Sequence, residues 1–144
     1  MNHKGITLIE LIIVMVIIAI AATLAVPSIG SWMPNYRLRS ATRDLVSTMR
    51  IAQMKAVSNN LNYQVLFNPG NNNYILQYQN TGGVWIDDGV AQTLPAGVGL
   101  ATNFGNNAVF FPNATATNGN ITLNTTKGTR TIQLLGTTGR VKVE

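Results

Sequence analysis

One stretch constrains this chain more than any other. Residues 6–26 read Ile-Thr-Leu-Ile-Glu-Leu-Ile-Ile-Val-Met-Val-Ile-Ile-Ala-Ile-Ala-Ala-Thr-Leu-Ala-Val. A helix needs roughly 20 apolar residues to cross a bilayer core, and this run supplies them. Its single charge is Glu10, near the start, and a short basic leader, Met-Asn-His-Lys-Gly, stands before it. An ionisable group in such a segment is costly and points to a function. Two plainer readings compete. A secretory signal peptide has a basic start but an apolar core of only about 7–15 residues, with a small-residue cut after it, here near Ala25. Glu10 inside the core argues against that. A plain membrane anchor has no need of the glutamate.

Lys4-Gly5-Ile6-Thr7-Leu8-Ile9-Glu10, followed by the apolar run, resembles the N-terminus of a type IV prepilin. The resemblance implies that a prepilin peptidase cuts between Gly5 and Ile6 and that the new N-terminus, Ile6, is methylated. It implies that Glu10 is the carboxylate that pilins carry early in the mature helix. Phenylalanine is the family's usual residue where Ile6 stands, and other apolar residues also occur there. The cut would leave a cationic amine on Ile6, one helical turn from Glu10. In a bundle of such helices one subunit's carboxylate can meet a neighbour's amine. An unpaired charge in low dielectric is costly, so the pair favours one axial register.

The chain has 144 residues, and about 117 remain beyond the leader and apolar run, enough for one modest core. With no cysteine there is no disulfide and no thiolate metal site. The net charge is +5. From Ser28 onward nine lysines and arginines stand against four acids. Such a surface attracts polyanions, or it serves simply to keep the domain soluble.

The helix is expected to continue past Val26. Pro27 and Gly30 should bend or loosen it, because proline removes a backbone donor and crowds the preceding turn. Pro34 is expected to help break it in two. Trp32 and Tyr36 suit either a membrane interface or packing on the globular part. From Asn35 to Asn59, Leu38, Thr42, Leu45, Met49, Ala52 and Ala56 recur at three-four spacing with Val46 alongside, one apolar stripe facing a core. Arg39, Arg43 and Arg50 fall on another side. Strand-like runs follow at 62–67, 74–79, 84–86, 94–98, 109–111, 121–123, 130–135 and 140–143. Asn/Gly-rich turns at 68–73 and 80–83 and the turn at 136–139 read as hairpins. The expected fold class is α+β, a type IV pilin-like fold: a long N-terminal helix packed on an antiparallel β-sheet domain. The expected segments are a leader at 1–5, a transmembrane or filament-core helix at 6–27, its amphipathic continuation at 28–60, and the sheet domain at 61–144.

The run from Arg50 to Asn60 is similar to the helix-end signature of the GspH/FimT family, with Gln53-Met54-Lys55 in place of the usual glutamate-containing part. Ile132 to Leu135, then Gly139-Arg140-Val141-Lys142-Val143, resembles that family's final hairpin. The resemblance implies a minor type IV pilin or a type II secretion pseudopilin. It would sit in the bacterial inner membrane by a single pass, with its globular part in the periplasm, then join a pilus or pseudopilus. The implied partners are other pilins, prepilin peptidase and the inner membrane. Some FimT-like members bind DNA through a basic C-terminal stretch. The matching positions here are Arg140 and Lys142, with Lys127 and Arg130 on neighbouring strands. Arginine and lysine two apart on a strand share a face and would hold phosphates in a salt-sensitive way. Alternatively the arginine closes the sheet by pairing with Asp44 or the C-terminal carboxylate.

The materials for an enzyme are thin. The lone histidine, His3, lies in the leader, and the acid pair Asp87-Asp88 sits in a glycine-flanked turn. General acid–base chemistry needs a positioned, tuned pair. Too few oxygen ligands surround Asp87-Asp88 for calcium. No cofactor or metal is expected. Asn113, Asn120 and Asn124 head glycosylation-like triplets, read here as chance.

Overall fold

The computed structural model describes residues 6–144, with side chains throughout except at 24–31. The chain divides into two units, Met1–Met33 and Pro34–Glu144. One helix, α1 (Leu8–Asn59), contributes to both. The expected break at Pro34 is not there: α1 runs unbroken through Pro27 and Pro34. Each proline withdraws one backbone donor, and the helical bonds on either side carry the element past it. The helix ends at Asn59, where Asn60 takes the left-handed conformation (φ 53°) common at helix C-termini.

In the first unit the helix opens on a sequence-encoded cap. Thr7 precedes α1, and its Oγ1 accepts the backbone N–H of Glu10 at 3.3 Å. Its carbonyl accepts Leu11 N–H at 3.2 Å, the first helical bond. Thr7-Leu8-Ile9-Glu10 thus has the spacing of a capping box. Beyond the cap the helix is apolar on every side. Among the described residues no helix is long and apolar enough to cross a membrane.

The second unit holds the core. Leu38, Ala41, Thr42, Leu45, Val46, Met49, Ala52 and Ala56 line the buried side of α1. Thr42 is accommodated there because its hydroxyl bonds back to the Leu38 carbonyl at 2.7 Å. Where sequence reasoning anticipates one sheet, there are two. The first contains β1 (Tyr63–Asn68), β2 (Asn73–Gln79), β3 (Trp85–Asp87), β4 (Gln92–Thr93) and β6 (Asn107–Phe110), in the order β3-β2-β1-β6 with β4 also on β2. The second contains β5 (Gly99–Thr102), β7 (Gly119–Thr125), β8 (Gly128–Leu135) and β9 (Arg140–Val143), in the order β5-β7-β8-β9. All pairings are antiparallel.

The split occurs at residues 94–98, expected as a strand. They form the connection between β4 and β5, with Leu94 and Val98 plugged into the core. Strand β5 crosses to the second sheet and β6 returns to the first. The loop between them carries Phe104, whose ring meets Phe67 edge-on at 6.5 Å. The run expected at 109–111 belongs to β6 as far as Phe110. It alternates, with Ala108 and Phe110 inward and Val109 half-buried.

Each sheet turns one face to the helix. In the first, Tyr63, Val65 and Phe67 of β1 stand beside Phe110, Ala108 and Tyr74 on its neighbours. In the second, Leu100, Leu123, Ile121, Ile132 and Leu134 do the same. The outward face of the first sheet is tied by amides. Gln64 Nε2 donates to Gln77 Oε1 at 2.6 Å, and Gln77 Nε2 donates to Asp87 at 2.7 Å.

Candidate functional site

The sequence nominates two places, the helix start and the basic C-terminal sheet. At the first, Gly5 lies outside the described residues. Ile6 precedes the helix and is 78% exposed. Glu10 follows one turn later, exposed, with its backbone N–H in the Thr7 cap. From Ile6 to Ile20, twelve large apolar side chains are each about half exposed or more. Nothing in their own unit covers them. The sequence suggests charge pairing for Glu10, and the Thr-x-x-Glu spacing in the same residues is the separate signal for its place in the cap.

At the second place the structure divides the four basic residues that the sequence put together. Paired strands share faces, so Arg140 goes with Leu135, and Lys142 with Gln133, on the outward face of the second sheet. Arg130 lies opposite Leu123 and has the parity of Ile132 and Leu134, which puts it on the inward face. Lys127 sits in the β7–β8 turn, at the opposite end of β8 from Arg140. Only Arg140 and Lys142 remain together. Lys142 is ion-paired with Glu144 at 2.9 Å, both groups more than half exposed, so the pair adds little stability but offsets the charge of the patch. Neither Asp44 nor the C-terminal carboxylate pairs with Arg140 among the described residues.

The hairpin that presents Arg140 depends on its glycine. Gly139 has φ +58°, and a Cβ there would lie 2.5 Å from the Ala114 carbonyl and 2.6 Å from Gln53 Nε2. Gly139→Ala is therefore expected to destabilise the domain by about 2 kcal/mol or more, from left-handed strain plus the clash. Urea unfolding checks this, and an unchanged midpoint would contradict the hairpin geometry.

The helix-end segment is explained by two tethers. Gln53 Nε2 donates to the Thr138 carbonyl at 3.3 Å, in the β8–β9 turn. Lys55 Nζ meets Asp88 at 2.7 Å, in the turn after β3. The Asp88 bond raises the Lys55 ammonium above its ordinary value. Asp88 thus holds the helix to the first sheet. Among the described residues no group of acids or histidines converges as a metal site.

A helix whose second half seats two antiparallel sheets, and whose first half is a capped, uncovered apolar rod, defines the type IV pilin-like fold. The minor pseudopilin EpsH of the type 2 secretion system of Vibrio cholerae superposes with TM-score 0.65 at 9% identity, over 77% of this chain and 94% of that one. The type IV minor pilin FimU of Pseudomonas aeruginosa superposes with TM-score 0.64 at 16% identity, over 78% and 92%. At such identities the likeness establishes the fold. The family is fixed by sequence. The chain belongs to the type II transport protein GspH family, whose model matches residues 41–138. Residues 1–26 match the prokaryotic N-terminal methylation motif. No curated protein sequence matches the chain significantly. The family and the motif together are those of pilin-like proteins.

Proposed function

We propose that the chain is a minor subunit of a pilus or of a type II secretion pseudopilus, matured by cleavage between Gly5 and Ile6 and methylation of the Ile6 amine. Residues 6–27 hold it in the inner membrane, with the rest in the periplasm, and then enter the core of a filament of related subunits. The observation that carries this reading is the uniform exposure of the apolar helix from Ile6 to Ile20. A helix apolar all round must be covered, by lipid or by other helices. A filament subunit needs both in succession. The methylation-motif match over residues 1–26 supports the same reading. DNA capture would rest on Arg140 and Lys142 alone, with Glu144 beside them, and has less support.

Mass spectrometry of the full chain, from cells with and without prepilin peptidase, tests the proposal. The expected product begins at N-methylated Ile6, only when the peptidase is present, and is found with sheared filaments or in a pseudopilus fraction. A chain that keeps Met1, or one cut near Ala25, would overturn it.

A further inference from the structure

We propose that the cleft between α1 and the second sheet docks an acidic segment of a different subunit. The proposal rests on the assembly reading above and adds the chemistry of the partner. Arg39, Arg43, Val46 and Arg50 follow one another at i, i+4, i+7 and i+11, so they form one row on the helix. The row is about 16 Å long at 1.5 Å per residue. Arg130 of β8 and Val143 of β9 form the opposite wall, and the cleft measures about 420 Å³. Beside Arg130 the β8–β9 ladder has its last registered pair at Ile132 and Val143, and Glu144 bonds to Thr131 beyond it.

The four guanidinium groups are unpaired among the described residues, where the ion pairs are Lys55–Asp88 and Lys142–Glu144. Arg37, by contrast, is committed to the Ala96 carbonyl at 2.9 Å. One acid, Asp44, stands beside the row. It lines the adjoining hollow with Arg39 and Arg43 and takes the Ser40 hydroxyl at 3.4 Å. Four like charges around one hollow repel one another, and each arginine fork can take a carboxylate through two parallel bonds.

The cleft selects among anions. Its lining includes no aromatic ring, and the adjoining hollow adds the single ring of Tyr36, short of the successive stacking platforms on which single-stranded nucleic acids bind. Val46 and Val143 give it apolar surface suited to a polypeptide. A second copy of this chain is the poorer source of acids, because each acid of this unit already has a partner within it, Asp44 taking the Ser40 hydroxyl. Asp88 and Glu144 are paired internally, Asp87 accepts the Gln77 amide, and Glu10 belongs to the other unit. The fitting partner is therefore another polypeptide carrying two or more Asp or Glu residues within about 16 Å, roughly five residues of extended strand or three helical turns.

The test places a photo-crosslinking residue at Ser47, in the cleft, and another at Ile13, in the apolar helix, of the full chain in its own cells. The crosslinked peptide from Ser47 is expected to come from one other filament or membrane subunit and to carry at least two acids. Arg43→Glu with Arg50→Glu should reduce that crosslink by about tenfold or more, and charge reversal in the partner's segment should restore it. Both arginines are exposed, and circular dichroism confirms that the variant folds. A Ser47 crosslink to nucleic acid or to a second copy, no crosslink, or a yield indifferent to charge reversal overturns the proposal. If Ile13 still crosslinks to other pilin-like subunits in such a case, the assembly reading stands without the cleft. If Ile13 is also silent, both fall.

Discussion

Glu10→Ala is expected to leave the chain cut, methylated and membrane-bound while lowering its entry into filaments by at least about tenfold, the scale on which loss of one partner from a desolvated charge pair acts. Immunoblots of sheared filaments against membrane fractions read the ratio. The cap at the helix start makes a second substitution decisive. Glu10 is the third residue after Thr7, and glutamine serves that capping position nearly as well as glutamate. Glu10→Gln therefore keeps the cap and removes the charge. If Gln matches Ala in the assay, the carboxylate works by pairing with an amine. If Gln matches Glu, its work is to start the helix, and Thr7→Ala should then reproduce the defect at a helix cost of about 1 kcal/mol.

Phe110→Ala is expected to lower the stability of the second unit by about 3–5 kcal/mol, the usual cost of an aromatic deleted from a closed core. Phe110 is fully buried, registers with Tyr63 across the ladder, and bridges to Ala116. Domains of this size have only about 5–15 kcal/mol in total, so the variant should unfold at markedly lower urea. Trp85, half-buried in β3, provides a fluorescence signal. Val90→Ala, at a residue 84% exposed, is the control and should move the midpoint little. A Phe110 variant as stable as the control would mean that the first sheet does not close over the helix as described.

The helix was the most legible element. The stripe from Leu38 to Ala56 is a repeating signal over many turns, and each of its residues is buried. Ala41, also buried, adds too little apolar weight to stand out. The sheets were legible as strands but not as two layers. Nothing local in Gly99 to Thr102 says that this strand pairs with β7 rather than with its sequence neighbours, because strand order is set by long-range packing. The placement of Arg130 could have been read. Ile132 and Leu134 are apolar at every second position, and extending that parity backward turns Arg130 inward. Its charge groups it with Arg140 and Lys142, whereas its parity sets it on the other face. The arginine cleft was half visible: the sequence gives the spacing of Arg39, Arg43 and Arg50, and only the fold supplies the opposite wall.

The two tethers at the helix end have a mechanical consequence. Gln53 holds the turn of the second sheet and Lys55 holds a turn of the first, two residues apart on the same helical turn. Force drawn along the helix axis arrives at both sheets together, and the tethers resist it in shear. In a domain built this way, one short segment from Gln53 to Lys55 couples the helix end to both sheets, in addition to the buried stripe beneath them.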